Sequence, residues 1–367
     1  FALKQSQAFV DQMEGFALEL EDELMNFSDV SYKSFVKSES EIITLFYDKF
    51  ADIPLLSRMD AVAETFIDEI ETLLNRDLPE EERIPLIEKF QKMYETMDFY
   101  VLYNRFLKKE GYQTLPRRPL EKRKLRYEDV YPVLYLKYRL SRQAERSNIK
   151  HLVIDEMQDY SRLQYLIIRR MFSCKMTILG DRAQTMADQQ QDVLQFLPGI
   201  FGKDLRRIEM RKSYRNTVEI ASYAANLIGV TDLELFERHG MPVLERDVTD
   251  LEAALREAVD TLFPDEKTYE TAAVIVPDEK TAERAYLILR EILAEKDFDC
   301  EKRLSWLNRD SSSFKKGLTV TTFYLAKGLE FDQVFSIFPK DEKREIMMQA
   351  QYIAATRALH ELRVYHI

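Results

Sequence analysis

Two short apolar runs that each end in acidic residues constrain the fold of this chain more than any other feature. Residues 152–154 precede Asp155 and Glu156, and residues 176–179 are followed, after one glycine, by Asp181. Uninterrupted runs of this length predict buried strands of a parallel sheet, and the helical spacing between them predicts a connecting helix. The carboxyl ends of such strands meet at the edge where open α/β sheets bind ligands. A carboxylate pair at that edge suits a magnesium-bound nucleotide and an attacking water.

Composition and charge exclude several classes of protein. The chain has 367 residues, which predicts two or three domains. Its formal net charge of -11 argues against coating nucleic acid with the whole surface, although a local basic patch is compatible with it. Cys174 and Cys300 lie far apart, so we expect no disulfide framework and no zinc site, which fits a reducing cytoplasm. No apolar run is long enough to span a membrane, so we expect no membrane partner.

Residues 1 to about 110 are predicted to be helical, because apolar side chains recur every three or four positions. Pro54 and Pro79 end two of these segments. The last segment, residues 86–109, is rich in aromatic side chains, which could form a platform for nucleic-acid bases. We favour the alternative that they form a hydrophobic core, because aromatic side chains at helical spacing usually do.

A dense cluster of cations at residues 117–126, here called the basic run, follows this helical region. Residues 127–142 are predicted as another helix. The basic run could bind phosphates and give a salt-dependent affinity for nucleic acid. A solvated connector is the preferred interpretation. The nucleic-acid candidates in the basic run are Arg117, Arg118, Lys122, Arg123 and Lys124.

Beyond Gln184, strand and helix patterns alternate, which predicts a second α/β layer structure. Asn216 with Glu219, and Thr249 with Glu252, resemble capping boxes that begin two of the helices. The predicted strands are residues 205–210, 272–276, 318–323, 333–338 and 362–366. The predicted helices are residues 216–228, 249–263, 282–295 and 346–358.

Five sequence motifs occur in a fixed order. They are DEMQD at 155–159, GDRAQ at 180–184, SYRN at 213–216, TTFYLAKGLEFD at 321–332 and YIAATRA at 352–358. Together they resemble the UvrD/Rep-type superfamily 1 helicases, and five motifs in order are far more specific than any single one. The resemblance implies an α/β, RecA-like helicase core. It predicts an all-α insertion domain at 1–126, part of the first core domain at 127–203 and the complete second core domain at 204–367.

The first two motifs imply one group of nucleotide-binding residues. By the resemblance, Asp155 holds the magnesium ion, Glu156 orients or deprotonates the attacking water, and Gln158 links the nucleotide state to domain closure. In GDRAQ, Gln184 contacts the terminal phosphate, and Asp181 is counted with the nucleotide-binding residues. The alternatives are an acidic helix N-terminus for DEMQD and a plain turn for GDRAQ.

The third and fourth motifs imply a second group. Tyr214 would stack on the adenine and Arg215 would reach the γ-phosphate, because a ring suits a base and a guanidinium fork suits phosphate oxygens. Glu330 would accept a hydrogen bond from the ribose. Lys327 and Gly328 lie where the nucleic-acid strand or the phosphates would pass.

Two further residues complete the predicted site. Thr322 is a nucleic-acid candidate, and Arg357 would be the arginine finger that stabilises charge in phosphoryl transfer, although an ordinary helix also tolerates an arginine there. The expected cofactors are ATP and Mg²⁺. The resemblance places the ATP between the two core domains.

The family's phosphate loop, Gly-x-x-x-x-Gly-Lys-Ser/Thr, does not occur in the sequence. Gly199, Gly202 and Lys203 do not replace it, because their spacing is too short and they follow GDRAQ. We therefore expect the loop in a segment N-terminal to Phe1. The parent protein is then expected to hydrolyse ATP, whereas this chain alone should bind nucleotide weakly and turn over little or none.

Two details resemble the HelD-type ATPases, which act on RNA polymerase. Tyr324 stands where many DNA helicases have His, and the interval from Arg215 to Lys327 is too short for the large inserted domain of UvrD and Rep. The favoured hypothesis is a fragment of an ATP-dependent motor that remodels RNA polymerase or releases it from nucleic acid. The alternatives are a UvrD/Rep-like helicase or translocase acting on single-stranded or duplex DNA in repair, and a non-catalytic binding module on a helicase scaffold.

Overall fold

The computed structural model describes residues 2–142, 148–181, 193–210, 212–230, 234–262, 269–296, 299–309, 316–340 and 345–367. The chain divides into two units, which are Phe1–Gly180 with Gln189–Leu205, and Asp181–Asp188 with Arg206–Ile367. Among the described helices, none has both the length and the apolar character needed to cross a membrane.

The first unit is mainly helical. Its helices are α1 (Gln7–Glu23), α2 (Glu39–Thr44), α3 (Arg58–Leu74), α4 (Glu80–Gln91), α5 (Phe99–Lys109), α6 (Tyr127–Leu140), α7 (Arg162–Met171) and α8 (Val193–Phe201). Its strands are β1 (Val30–Tyr32), β2 (Phe35–Lys37), β3 (His151–Ile154) and β4 (Lys175–Ile178).

The aromatic side chains of the N-terminal region form a core, as predicted. Phe90, Tyr103 and Phe106 are fully buried, and they belong to one hydrophobic cluster that extends from α1 to α7. The aromatic-rich segment is two helices rather than one, because Asp98 caps a new helix by accepting a hydrogen bond from the Tyr100 amide at 2.9 Å.

The β1–β2 hairpin is a feature that the helical prediction for residues 1 to about 110 missed. Its two-residue turn contains Lys33, which adopts a left-handed backbone with φ of 53°. Glycine or asparagine normally marks such a position, so the sequence contains no hairpin signal at Lys33.

The predicted strand–helix–strand unit is present. β3 and β4 pair in parallel with Ile154 opposite Ile178, and Ser161 caps α7 in a capping box with Gln164. The prediction that these strands are buried is wrong for one face, since Val153 is 60% exposed. Side chains alternate along a strand, and α7 and α8 cover only the face that carries Ile154.

The second unit is built on a six-stranded parallel sheet with the order β7-β12-β11-β8-β10-β9. The sheet strands are β7 (Leu244–Asp247), β8 (Thr271–Val276), β9 (Leu304–Trp306), β10 (Gly317–Thr322), β11 (Phe331–Phe338) and β12 (Ala358–His366). The helices are α9 (Val218–Leu227), α10 (Leu251–Asp260), α11 (Glu279–Ala294), α12 (Cys300–Arg303) and α13 (Glu345–Ala355). A short parallel pair, β5 (Lys212–Ser213) and β6 (Glu234–Leu235), is separate from this sheet.

The alternation of side chains along β8 explains the layers. Ala272, Val274 and Val276 belong to a cluster that includes α10 and α11, whereas Ala273 and Ile275 belong to a cluster that includes α9 and α13. Helices therefore cover both faces of a parallel sheet, as such sheets require. The predicted α/β fold class is confirmed, and the arrangement is consistent with a RecA-like core.

Two kinds of local prediction in this unit are wrong. The predicted strand at 205–210 is absent, and Ile208 and Met210 are 75% and 85% exposed, so their apolar side chains do not pack into a sheet. Each predicted helix cap lies one residue too early: Thr217 and Asp250 are the N-caps of α9 and α10.

Candidate active site

Main-chain hydrogen bonds join the loops that follow β3 and β4. The amide of Leu179 donates to Ile154 O, and the amide of Met157 donates to Leu179 O, both at 2.8 Å. Gly180 packs directly against the first loop, since a Cβ at this position would lie 2.4 Å from Met157 Cγ and 2.5 Å from Gln158 Oε1. The first loop, which carries the acidic pair, is therefore held against the end of β4.

Glu156 is held in a strained but well-supported conformation. Its backbone is left-handed, with φ of 51° and ψ of 50°, which is unusual for a residue other than glycine. Its amide donates to Asp155 Oδ1 at 2.8 Å, and its carboxylate accepts from Gln158 Nε2 at 2.5 Å. Gln158 is only 2% exposed, so a buried amide fixes the direction of the Glu156 carboxylate. Strain of this kind often marks a functional position.

Asp155 is exposed at the end of β3 and has the chemistry that Mg²⁺ requires. Magnesium prefers hard oxygen ligands and usually takes one or two carboxylates, with substrate phosphates and waters completing the shell. Within the described parts of the chain, no group of three His, Cys, Asp or Glu side chains could hold a metal ion. A single exposed carboxylate suits an ion that arrives with a nucleotide, and the residues here fit that role.

The second unit brings Arg215, Glu330 and Arg357 close together. Arg215 Nε and Glu330 Oε1 form an ion pair at 2.6 Å, with both side chains partly exposed. The Arg357 guanidinium donates to Leu329 O at 3.4 Å, and Arg357 O accepts from the Phe331 amide at 2.9 Å. The two residues that flank Glu330 thus contact Arg357.

Arg357 is buried, with 1% of its surface exposed. Besides Leu329 O, its guanidinium donates to Ile353 O at 3.2 Å and to Thr356 Oγ1 at 3.1 Å. In this structure the guanidinium of Arg357, the predicted arginine finger, therefore makes hydrogen bonds within the second unit.

Tyr352 is a residue of this neighbourhood that motif reasoning did not single out. Its hydroxyl donates to Asp181 Oδ2 at 3.1 Å, and Asp181 belongs to the same unit. Burial raises the pKa of the Tyr352 phenol and the negative charge of Asp181 raises it further, whereas Arg357 and Arg215 lower it. Tyr352 thus lies within electrostatic range of three predicted site residues. Its position as the first residue of the motif YIAATRA is the sequence signal that could have identified Tyr352 as a candidate.

Asn216 and Arg238, here called the carbonyl clamp, also lie in this neighbourhood, although the sequence did not identify either residue as a candidate. Asn216 Nδ2 donates to Thr356 O at 3.3 Å and to Ala358 O at 2.6 Å, so it does not cap α9. Arg238 Nη2 donates to Leu359 O at 2.7 Å and also to Arg215 O. Arg238 lies outside all five motifs, and the sequence contains no signal for its role.

Thr322 ends β10, and residues 323–328 form the turn that follows this strand. Thr322 is 1% exposed, and its hydroxyl has no hydrogen-bond partner within the described residues. Gly328 has a left-handed φ of 76°, and Lys327 beside it is partly buried. Asp332 ends this motif in a structural role, because it accepts hydrogen bonds from the Glu270 amide and from the amide and hydroxyl of Thr271, each at 2.9 Å.

Tyr214 presents an exposed ring, as a base-stacking residue must. It is 59% exposed, its ring centroid lies 5.6 Å from that of Phe236, and Lys212 Nζ lies 5.6 Å from its ring. Gln184, the predicted phosphate contact of GDRAQ, lies outside the described residues.

The basic run divides into exposed and anchored cations. Arg123 makes an ion pair with Asp98 at 2.5 Å, lies 4.7 Å from the Tyr100 ring and donates to Arg118 O at 3.0 Å. Arg123 is therefore an anchor of the loop. The exposed candidates are Arg117, Arg118, Lys122 and Lys124.

One family model and several solved structures are similar to parts of this chain. Residues 7–186 match the model of the UvrD/REP helicase N-terminal domain. No curated protein matches the sequence. The C-terminal domain of a possible DNA helicase from Lactobacillus plantarum WCFS1 is 24% identical over 42% of this chain and 88% of its own, with a TM-score of 0.33.

Two arterivirus helicase structures are also similar. The PRRSV helicase is 14% identical, with 73% of this chain and 45% of that chain covered and a TM-score of 0.35. The arterivirus nonstructural protein 10 helicase in complex with DNA is 14% identical, with 61% and 41% covered and a TM-score of 0.33. This chain thus spans less than half the length of either viral helicase, and scores this low do not establish a shared fold. Nearly half of the chain is similar in sequence to the N-terminal domain of UvrD/REP helicases.

Proposed function

We propose that this chain is part of an ATP-dependent nucleic-acid motor of superfamily 1. The observation that carries the proposal is the Asp155–Glu156–Gln158 arrangement at the end of β3, where a buried amide holds one carboxylate beside a second, exposed one. This arrangement lies in the segment that matches the UvrD/REP helicase model. A carboxylate held only for helix capping would need neither the strained backbone nor the buried amide.

In the proposed reaction, Asp155 holds Mg²⁺, which neutralises phosphate charge when it is bound. Glu156 orients the attacking water and accepts its proton, while Gln158 keeps the Glu156 carboxylate in place. Arg215 and Arg357 supply positive charge to the transferring phosphoryl group, as cations do in this reaction class.

The remaining site residues are proposed to bind the nucleotide. Tyr214 stacks on the base, Glu330 accepts from the ribose, and Gln184 and Asp181 belong to the phosphate side. Lys327 and Gly328 are proposed to lie along the phosphates or the nucleic-acid backbone, with Thr322 beside the nucleic acid.

ATP hydrolysis by the complete protein tests this function. Glu156→Gln keeps the size of the side chain but removes the base, so we expect kcat to fall by about 10²–10⁴-fold while ATP still binds. Glu301→Gln, an exposed change in α12, serves as the control and should leave kcat unchanged. Unchanged turnover in Glu156→Gln would refute the assignment of the water-activating group.

We further propose that a phosphate loop outside residues 1–367 completes the ATP site, because the motif does not occur in this sequence. This chain alone should then bind ATP weakly and hydrolyse it slowly or not at all. Titration of the chain with ATP by calorimetry, beside the complete protein, measures the difference. Equal affinities would contradict this part of the proposal.

A HelD-like role, in which the motor remodels RNA polymerase or releases it from nucleic acid, is supported by Tyr324 and by the short interval between Arg215 and Lys327. A UvrD/Rep-like DNA motor in repair is the second candidate, and the match of residues 7–186 is compatible with both roles. Co-purification with RNA polymerase is expected for the first role. ATPase stimulation by single-stranded DNA without polymerase binding is expected for the second.

A non-catalytic binding module is the third candidate. It keeps the scaffold but predicts no ATP hydrolysis by the complete wild-type protein under any condition. Asp155, Glu156, Arg215 and Arg357 argue against a non-catalytic module, because a binding scaffold does not need these four catalytic side chains.

A further inference from the structure

Three separate chain segments carry three charged candidate site residues of the second unit. They are the residues after β5, with Arg215, the residues before β11, with Glu330, and the residues before β12, with Arg357. The ion pair of Arg215 with Glu330 is partly exposed, and an exposed pair alone holds two segments weakly. Something else must fix Arg215 relative to Arg357.

The carbonyl clamp makes that connection. The two acceptors of Asn216, Thr356 O and Ala358 O, lie on either side of Arg357. Asn216 directly follows Arg215 and is only 7% exposed, so these hydrogen bonds are shielded from water. Buried hydrogen bonds of this kind restrict geometry more than exposed ones.

Arg238 also connects the segment that carries Arg215 with the segment that carries Arg357. One nitrogen, Nη2, donates both to Arg215 O and to Leu359 O. Its Nε is buried without a hydrogen-bond partner in the described part of the chain. A buried donor without a partner is destabilising, so packing alone is a weak reason for an arginine at this position.

The backbone of Arg238 is itself fixed against the start of α9. Its carbonyl accepts from the Val218 amide at 2.9 Å, and the Gly240 amide donates to the Glu219 carboxylate at 2.9 Å. A Cβ on Gly240 would lie 2.6 Å from Thr217 Cγ2, so the segment packs closely there. Hydrogen bonds therefore hold both the backbone and the guanidinium of Arg238.

We propose that Asn216 and Arg238 are positioning residues that hold Arg215 and Arg357 in the spacing needed to act on one phosphate group. This inference rests on the proposed ATP hydrolysis and extends it, since neither clamp residue needs to touch the nucleotide. Small displacements of reacting groups are costly: a misplacement of about 1 Å can lower a rate about 10²-fold. The clamp acts on turnover through the arginines and on ATP affinity only slightly.

The test measures kcat, KM for ATP and the melting temperature of the complete protein. Arg238→Gln should lower kcat by about 10- to 100-fold, with KM within about twofold of wild type. Arg238→Lys, which keeps the charge and can donate to one carbonyl, should recover part of the loss. Arg256→Gln removes an exposed arginine of α10 that pairs with Glu252, and it should leave kcat unchanged.

A double-mutant comparison separates positioning from a merely structural role. If Arg238 acts through Arg215, Arg238→Gln should cost little more in an Arg215→Ala background. Losses that multiply in the double mutant, or an unchanged kcat in Arg238→Gln, would overturn the inference. If Arg238→Gln does not fold, Asn216→Ser and Arg238→Lys decide by the same criteria.

The same data distinguish the two levels of proposal. A wild-type protein without ATP hydrolysis overturns the proposed function and the clamp with it. Wild-type hydrolysis with no kcat effect in the clamp variants overturns the clamp alone.

Discussion

Replacing Gly180 by alanine adds one methyl group where the loops after β3 and β4 meet. The added Cβ would lie 2.4 Å from Met157 Cγ, 2.5 Å from Gln158 Oε1 and 2.7 Å from Met157 N. A side-chain oxygen can move away, but the Met157 amide is backbone and donates to Leu179 O at 2.8 Å. The substitution must therefore shift a paired loop, and overpacking of this kind costs about 1–3 kcal/mol.

Gly199→Ala is the matched control and should have the opposite sign. Gly199 lies in α8, and a Cβ there would meet no atom within 4 Å. Glycine inside a helix is less stable than alanine by about 0.5–1 kcal/mol, so this variant should be more stable than wild type. The two substitutions add the same methyl group to the same unit, and they differ in the local space and in the backbone conformation.

Urea unfolding followed by two probes measures the effect. Trp306 is the only tryptophan of the chain and lies in β9, so its fluorescence reports the second unit. Circular dichroism reports both units, and the transition that fluorescence does not detect belongs to the first. Gly180→Ala should lower the midpoint of that transition and leave the fluorescence transition unchanged. A midpoint equal to or above that of wild type would refute the close contact at Gly180.

Three other results are expected. Asp250→Ala should destabilise the second unit by about 0.5–2 kcal/mol in thermal melts, whereas Thr249→Ala should change little, because Asp250 accepts the Ala253 amide at 2.9 Å; equal effects would contradict the cap. Hydrogen bonds from His239 and Gly240 lower the pKa of Glu219 to about 2, below its unfolded value, so this contribution is present above about pH 4.5 and is lost as pH falls towards 2. Glu219→Gln should flatten acid unfolding in that window, and an unchanged profile would refute the contribution. Glutamate at the four exposed candidates of the basic run should leave DNA affinity unchanged, because we prefer a solvated connector there. Phosphate binding by the run would instead weaken DNA binding and reduce the slope of log affinity against log salt by roughly 3 to 4, which neutralising exposed cations of α11 would not do.

The regular part of the fold could be predicted because hydrophobic patterns determine it. The apolar runs at β3, β8 and β11 have strand lengths and turn signals at their ends, and each forms a strand. The segment at 205–210 has a similar local pattern but forms no strand, since strand formation also needs a partner that the local sequence does not specify. The hairpin at Lys33 was missed for a related reason, because no glycine or asparagine marks its turn.

The candidate site was predictable only as far as motifs describe it. Asp155, Glu156 and Arg215 stand in recognisable motifs at strand ends, and the sequence places them there. The buried guanidinium of Arg357 donates to Leu329 O, which lies far away in sequence. Arg238 carries no local signal at all, because its two acceptors, Arg215 O and Leu359 O, lie elsewhere in the sequence. Tertiary contacts of this kind are not encoded in the spacing of one segment.

The alternation of side chains along β8 gives the second unit two adjacent spectroscopic reporters. The methyl groups of Val274 face α10 and α11, whereas those of Ile275 face α9 and α13. The chain enters α9 just after Arg215, and α13 leads directly to Arg357. In methyl NMR spectra, Ile275 should therefore respond to a ligand bound near the two arginines, while Val274 provides an internal reference one residue away.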